Sequence, residues 1–150
     1  MAKPIYVLNG PNLNLLGSRE PEVYGKETLE DVRARCVRKA EALGLTVDFR
    51  QSNHEGELVA WIQEARTDAS GLIVNAGALT HSSIAMLDAL LACDIPCVEV
   101  HLSNIFRREP FRQNSYISKA VQGMICGFGP QSYELAIDAL AATIETNKAR

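Results

Sequence analysis

The chain has 150 residues, of which 47% are apolar and 22% charged, and its formal net charge at pH 7 is -3. These values are ordinary for a globular protein, and the length suits one domain that buries a core without covalent staples. Because the chain carries no broad excess of basic residues, its composition argues against nucleic acid as the main partner.

Neither membrane insertion nor secretion is indicated. A membrane-spanning helix needs about 18–20 consecutive apolar residues, and no window of the chain has them. The opening residues, MAKPIYVLNG, lack the apolar stretch of a signal peptide. We therefore expect a cytoplasmic protein. The four cysteines lie in apolar runs and are predicted to be buried thiols rather than disulfides or metal ligands: Cys36, Cys93, Cys97 and Cys126.

Five short runs rich in Val and Ile alternate with helical patterns along the chain. Such runs are typical of parallel strands covered on both faces, and they occupy residues 5–9, 45–50, 72–75, 97–102 and 121–127. Apolar residues at helical spacing predict four helices, over residues 29–43, 55–68, a segment after Thr80, and 131–146.

Local signals support these boundaries. Thr28 with Asp31 resembles a capping box at the start of the first helix, and Gly44 fits the position just past its end. Thr80 is a plausible N-cap for the third helix. The alternation predicts one doubly wound α/β domain over residues 1–150, with helices on both faces of a five-stranded parallel sheet, in three layers.

In such a sheet, ligands bind beyond the carboxyl ends of the strands. The segment after the first strand, residues 9–25, is longer than the usual connection and indicates a binding loop or lid, or else a turn-rich surface loop. It contains neither Gly-x-Gly-x-x-Gly nor a phosphate loop, so a nucleotide-binding module loses its main support.

The segment after the third strand contains His81, which suits either a structural or a functional role. Further along, Asp88 stands on an otherwise apolar helical face between Ile84 and Leu91. An unpaired carboxylate buried there would be costly, so we expect a cationic partner for it. If its own subunit offers none, a neighbouring subunit is the natural source.

The fourth strand ends in Glu99-Val100-His101, followed by several arginines. Residues two apart on a strand point to the same face, and a carboxylate beside an imidazole fixes the tautomer of the ring, as general-acid chemistry requires. The alternative is a purely structural pair. The arginines suit either a salt-bridged surface or the binding of an anionic substrate.

Together these segments resemble the type II 3-dehydroquinate dehydratases. The resemblance covers nearly the whole chain, in family order and spacing. It is carried by the run LNGPNLNLLG at residues 8–17, Arg19-Glu20-Pro21, Tyr24-Gly25, NAGA at 75–78, THSS at 80–83, EVHLSN at 99–104 and Phe111-Arg112.

That resemblance implies a flavodoxin-like fold and trimers assembled into dodecamers. It further implies removal of water from 3-dehydroquinate to give 3-dehydroshikimate through an enolate, in the shikimate pathway or in quinate breakdown. Neither a metal, a cofactor nor a lysine imine is implied. The alternative from another class is a flavodoxin-like module that binds a nucleotide or flavin without catalysis.

The resemblance also implies residue roles. Tyr24 is the base, with Arg19 stabilising its phenolate, and Asn12 stabilises the enolate. His101, oriented by Glu99, is the general acid. Asn75, His81 and Arg112 bind the hydroxyls of the substrate, and the N–H groups of Leu102 and Ser103 bind its carboxylate. Asp88 reaches into the site of a neighbouring subunit, where Arg19 is its contact.

Two details are less regular. Of the adjacent pair Arg107 and Arg108, counting from His101 favours Arg108 as the lid arginine. Gln113 and Asn114 stand where relatives often carry basic residues, which predicts a less basic pocket rim.

Overall fold

The computed structural model describes residues 2–148. Its five strands are β1 (Ile5–Asn9), β2 (Val47–Gln51), β3 (Gly71–Asn75), β4 (Cys97–His101) and β5 (Gly123–Cys126). They form one parallel sheet in the order β2-β1-β3-β4-β5, which is the flavodoxin-like order. The predicted fold class is therefore confirmed, and each predicted strand exists within one or two residues of its expected ends.

The helices are α1 (Pro21–Tyr24), α2 (Leu29–Ala42), α3 (Glu55–Asp68), α4 (Ile84–Ala92) and α5 (Gln131–Lys148). The predicted capping box of α2 is present, because the Asp31 N–H donates to Thr28 Oγ1 at 3.1 Å and the Thr28 N–H donates to Asp31 Oδ2 at 2.9 Å. Gly44 follows α2 with a φ of 74°, as expected of a residue just past a helix end. The short α1 inside the first loop was not predicted.

The prediction that Thr80 caps the third helix is wrong. Residues Gly77–His81 form a 3₁₀ turn, and α4 begins only at Ile84, with Ser83 Oγ accepting from the Met86 N–H at 3.0 Å. The Thr80 side chain is buried inside the turn and its hydroxyl bonds to no described residue, so it cannot reach a helix start. Ser83 has the extended backbone that an N-cap requires.

The sheet separates two apolar cores, which gives the three predicted layers. Because side chains alternate along a strand, Ile5 and Val7 face α2 and α5, whereas Tyr6 and Leu8 face α3 and α4. Cys36, Cys93 and Cys97 are buried as predicted, but Cys126 on the edge strand β5 is partly exposed, and all four thiols are free. Within residues 2–148, no helix combines the length and apolarity needed to cross a membrane.

Candidate active site

A pocket opens at the carboxyl end of the sheet. Its walls come from the loops that follow β1, β3 and β4, and it encloses about 650 Å³ including space open to solvent. Ten residues singled out from the sequence line it: Asn12, Arg19, Tyr24, Asn75, His81, His101, Leu102, Ser103, Arg108 and Arg112. Glu99 lies directly behind His101, and Asp88 lies elsewhere on the surface.

The strand register brings the first two loops together. Asn9 of β1 and Asn75 of β3 are paired neighbours at the ends of their strands. Gly10 must be glycine because a Cβ there would lie 2.3 Å from the Ala76 carbonyl oxygen. On the other side of this contact, Gly77 adopts a φ of 60° against Pro11. The two polar loops therefore meet backbone to backbone and form the floor of the pocket.

A buried amide–phenol network fixes Asn75 at this floor. Tyr133 of α5 donates to Asn9 Oδ1 at 2.6 Å and accepts from Asn75 Nδ2 at 2.8 Å. The Gly77 N–H donates to Asn75 Oδ1 at 3.2 Å, which orients the amide and leaves its second N–H hydrogen for other partners. Burial raises the pKa of Tyr133, so the phenol stays protonated. Nothing local in the sequence identified Tyr133 as part of this site.

The first loop is held from the side of β2. The Asn12 N–H donates to Asn53 Oδ1 at 3.0 Å, and Gln51 Nε2 donates to the same oxygen at 3.0 Å and to the Gly10 carbonyl at 3.1 Å. Asn12 itself adopts a left-handed φ of 69°, which asparagine tolerates better than most residues. The supporting role of Gln51 and Asn53 was not predicted from the sequence. Their place at the carboxyl end of β2, where ligands of such sheets bind, was the available signal.

Two arginines stack on Tyr24. The guanidinium carbon of Arg19 lies 5.2 Å from the centre of the Tyr24 ring and that of Arg108 lies 5.1 Å from it, within the range of cation–π contact. Arg108 Nη1 also reaches Ser103 Oγ at 3.5 Å. Of the adjacent pair, Arg108 lines the pocket while Arg107 is exposed outside it. The arrangement surrounds the phenol with positive charge.

The charge of the pocket suits an anion. Among the described residues that line it, three are arginines and none is acidic. Arg112 is partly neutralised by Glu109, whose Oε2 lies 2.6 Å from its Nε. Among residues 2–148, no group of three or more His, Cys, Asp or Glu side chains is placed to hold a metal ion. The side chains that line the pocket offer guanidiniums, amides and imidazoles to a ligand.

Glu99 and His101 form the buried pair that their spacing suggested. His101 Nε2 lies 2.5 Å from Glu99 Oε2, and the Glu99 side chain is fully buried. Burial by itself raises the pKa of Glu99, but hydrogen bonds from His101, Ser118 and Ser115 outweigh it and leave that pKa below its usual range. Since a carboxylate only accepts, Nε2 carries a proton and Nδ1 is the ring nitrogen left for other partners.

His81 is held in the opposite protonation pattern. Its Nδ1 lies 2.7 Å from the Asn114 carbonyl oxygen, which only accepts, so Nδ1 carries the proton. Burial lowers the pKa of His81, which keeps the ring neutral at pH 7. A neutral ring with Nδ1–H presents Nε2 as an acceptor for a ligand hydroxyl. Asn114 thus contributes to the site through its backbone carbonyl.

Asp88 lies apart from the pocket of its own chain. It is exposed on α4, beside Ile84 and Leu91, whose side chains are 55% and 62% exposed. Asp88 takes part in none of the ion pairs within residues 2–148. The expected apolar face is present, but in one chain it is open to solvent, so the burial cost anticipated for Asp88 does not arise there.

The fold and this site define an α/β enzyme-like protein: a buried carboxylate–imidazole pair and an arginine-flanked phenol share one pocket at the carboxyl edge of a doubly wound sheet. The family model described as Dehydroquinase class II matches residues 3–141. The chain belongs to that family.

Curated relatives extend over nearly the whole chain. A 3-dehydroquinate dehydratase of Caulobacter sp. is 58% identical over 147 residues, covering 98% of this chain and 100% of the relative. One from Streptomyces coelicolor is 56% identical, covering 98% and 94%. The solved type II dehydroquinase of Propionibacterium acnes superposes with a TM-score of 0.91 at 46% identity, covering 95% of this chain and 98% of that one.

Proposed function

We propose that this chain is a 3-dehydroquinate dehydratase, a carbon–oxygen lyase that forms 3-dehydroshikimate through an enolate, without a metal or a lysine imine. The observation that carries the proposal is the single pocket in which an arginine-flanked Tyr24 and the Glu99-bound His101 face the same space. The names of the full-length relatives support the choice of substrate.

Tyr24 acts as the base. A free phenol has a pKa of about 10 and is only ~0.1% ionised at pH 7, so a tyrosine base needs its anion stabilised. Arg19 and Arg108, each about 5 Å from the ring centre, supply permanent positive charge for that purpose. Tyr24 Oη takes a proton from the carbon beside the substrate ketone. The C–H electron pair becomes the enolate.

Asn12 and His101 complete the elimination. Asn12 lines the same pocket, and its amide stabilises the enolate oxygen, directly or through a water. When the enolate collapses, the bond between carbon and the leaving hydroxyl breaks, and His101 donates a proton so that water departs. Tyr24 has then gained one proton and His101 has lost one, so a proton transfer between the site and solvent restores both residues.

The remaining lining residues bind the substrate. The neutral His81 accepts a hydrogen bond from a substrate hydroxyl through Nε2, and Asn75 offers its free amide hydrogen. Arg112 also binds the hydroxyls. The carboxylate at the other end of the substrate is bound by the N–H groups of Leu102 and Ser103, which follow β4 directly. Arg108 acts as the lid arginine, stacked on Tyr24 over the pocket.

Asp88 contributes from a neighbouring subunit. Ile84 and Leu91 give α4 an exposed apolar strip around it, which suits burial against another copy of the chain. In the trimer, and in the dodecamer built from trimers, Asp88 then reaches Arg19 of the adjacent site. Arg19 is available for this contact because its ion pair with Glu20, 3.2 Å long, is largely exposed and so weak.

Turnover of 3-dehydroquinate, followed by the absorbance of the enone product, tests the proposal. Tyr24→Phe keeps the ring but removes the base, so we expect kcat to fall by about 10²–10⁴-fold. Tyr116→Phe is the matched control, because Tyr116 does not line the pocket and its ring instead contacts Lys119. It should keep wild-type kcat.

Near-wild-type kcat in Tyr24→Phe would show that another group is the base. Borohydride added with the substrate gives a second test: the wild-type protein should stay active, since no imine is formed. Inactivation by borohydride with covalent attachment to a lysine would contradict the proposed chemistry.

A further inference from the structure

Segment 114–118 packs against the back of the catalytic pair. The Tyr116 N–H donates to the Thr80 carbonyl at 2.9 Å, and Ile117 is fully buried in the core on the α4 side. The Asn114 carbonyl accepts from His81 Nδ1. The segment is therefore anchored at three of its residues, and its side chains are held in place relative to both pocket histidines.

Two hydroxyls of this segment complete the hydrogen bonding of Glu99. Ser118 Oγ donates to Glu99 Oε1 at 2.5 Å, and Ser115 Oγ donates to Glu99 Oε2 at 2.9 Å. The Ser118 N–H in turn donates to Ser115 Oγ at 3.0 Å, which orients that hydroxyl. With His101 as the third donor, both oxygens of a fully buried carboxylate are satisfied.

We propose that Ser115 and Ser118 are positioning residues of the acid–base site, which hold Glu99 as a fixed carboxylate and thereby set the tautomer and orientation of His101. The proposal rests on the proposed function in taking His101 as the general acid. Neither serine lines the pocket, so neither touches the substrate. Their effect reaches the reaction through Glu99 alone.

This arrangement has a chemical consequence for His101. As general acid, His101 carries protons on both ring nitrogens, with Nε2–H donated to Glu99 and Nδ1–H left for the leaving hydroxyl; a carboxylate rotated away from its position would no longer stabilise this imidazolium or hold the ring in place. Both serines prevent this by occupying the acceptor sites that His101 does not use. Electrostatic interactions also link this pair to His81 and Cys97, and Arg112 acts on His81 in turn, so a pH profile has to be compared between matched variants.

The first experiment compares Ser118→Ala with Ser118→Thr and Lys119→Ala. Loss of one hydrogen bond to a charged group corresponds to about 10-fold or more in an equilibrium, so Ser118→Ala should lower kcat about 10-fold with little change in KM. Without this donor the pKa of Glu99 rises, and the acidic limb of the kcat profile should move up by about 1 pH unit. Ser118→Thr keeps the hydroxyl on an exposed residue. Its kcat should be within about 3-fold of wild type, and the acidic limb of its kcat profile should return to about the wild-type pH.

Lys119→Ala is the control for disturbance of the segment itself. Lys119 is an exposed neighbour of Ser118, and its ammonium lies 5.8 Å from the centre of the Tyr116 ring. We expect wild-type kcat and an unchanged pH profile. An equal loss in Lys119→Ala and Ser118→Ala would mean that the segment is merely structural, and would overturn the proposal.

A double-mutant cycle separates action through Glu99 from any other effect. In a Glu99→Gln background, Ser118→Ala should change kcat by less than about 2-fold, because the carboxylate on which it acts is already absent. Additive losses would contradict the proposal. Ser115→Ala is tested in the same way, and in the Glu99→Gln background it too should change kcat by less than about 2-fold.

Nitrogen-15 NMR of the free protein provides a readout that does not depend on turnover. The chain has three histidines, so the His101 signals can be assigned by substitution. At a pH where the His101 ring is neutral, wild type should show one fixed tautomer with Nε2 protonated. The double variant Ser115→Ala,Ser118→Ala should show averaging between the two tautomers. A wild-type protein without turnover would contradict the proposed function. Active serine variants in which the His101 tautomer is unchanged would contradict only the positioning role of the serines.

Discussion

At the scale of single residues, the pair Glu99 and His101 was predictable and its surroundings were not. The two-residue spacing on a strand places both side chains on one face, and their contact in the structure has that origin. Ser115 and Ser118 lie 16 and 19 residues from Glu99 in sequence. No periodicity relates them to β4, so only the packing of their segment against α4 brings them to the carboxylate.

The lowered pKa of Glu99 gives a prediction about stability. A carboxyl group whose pKa is lower in the folded state stabilises that state at high pH, and this contribution is lost as pH falls through the folded pKa. Glu99→Gln should therefore reduce the free energy of unfolding by about 2 kcal/mol at pH 7. The gap from wild type should begin to narrow below about pH 4.5, where the carboxyl of the unfolded chain takes up its proton, and should narrow further as pH falls through the lower pKa of the folded state.

Urea titrations of both proteins from pH 7 to pH 3.5 measure this difference. Glu41→Gln on the exposed face of α2 is the control and should change the free energy of unfolding by less than about 0.5 kcal/mol at every pH. A gap for Glu99→Gln that stays constant across the range would mean that the charge of Glu99 contributes nothing to stability.

At the scale of elements, the start of α4 shows how a local pattern can mislead. Thr80 has the residue type and the place of an N-cap, directly before helical periodicity. The chain instead makes a 3₁₀ turn that buries Thr80 and lets Ser83 cap the helix. Propensity does not distinguish two hydroxyl residues three positions apart, and both are buried; the backbone does, since Thr80 lies within the 3₁₀ turn and Ser83 is extended.

Substitutions at these two hydroxyls should have opposite outcomes. Ser83→Ala removes the bond to the Met86 N–H and should cost about 1 kcal/mol of stability. Thr80→Val replaces a buried hydroxyl that bonds to no described residue, so it should be neutral or stabilising. Thermal or urea unfolding measures both effects. If Thr80→Val were the more damaging change, the cap would belong to Thr80 after all.

At the scale of the whole molecule, the exposed apolar strip of α4 and the position of Asp88 point to assembly. One chain holds Tyr24 and His101 in its pocket but leaves Asp88 on another surface. We propose a site shared between subunits, in which the strip would be covered and the carboxylate would gain a cationic partner in one step.

Mixing of two inactive variants tests the shared site. Tyr24→Phe lacks the base and Asp88→Asn lacks the acidic group, so each homo-oligomer should have low kcat. Co-expressed subunits form some interfaces with an intact Tyr24 from one chain and an intact Asp88 from the other, and activity should recover to about a quarter of wild type or less, depending on the mixing ratio. Light scattering on the wild type should give the mass of a trimer or of a multiple of it.

Two results would contradict this arrangement. If mixed oligomers recovered no activity, Asp88 would act within its own chain or not at all. If the wild type were a monomer with full activity, the α4 strip would serve some other purpose. Mixed oligomers of Tyr24→Phe with Tyr24→Phe,Asp88→Asn provide the control, since no interface in them holds an intact base.

The sequence by itself determined the sheet, four of the helices and the places where polar residues leave the strands. Hydrophobic periodicity and capping chemistry are local, acting over two to four residues, and they identify elements without knowledge of the rest of the chain. The motifs at the strand ends then supplied the residues that the structure brings into one pocket, with Asp88 outside it and Glu99 behind it.

Only the tertiary structure decided how those residues are held. Tyr133 bonds to Asn9 across 124 positions, Tyr24 lies against Arg108 from a different loop, and Ser118 reaches Glu99 from outside the sheet. Each contact joins residues that no repeat or spacing connects. The first and the last form because burial leaves the Tyr133 phenol and the Glu99 carboxylate without water, and the packed chain brings hydrogen-bond partners within their reach.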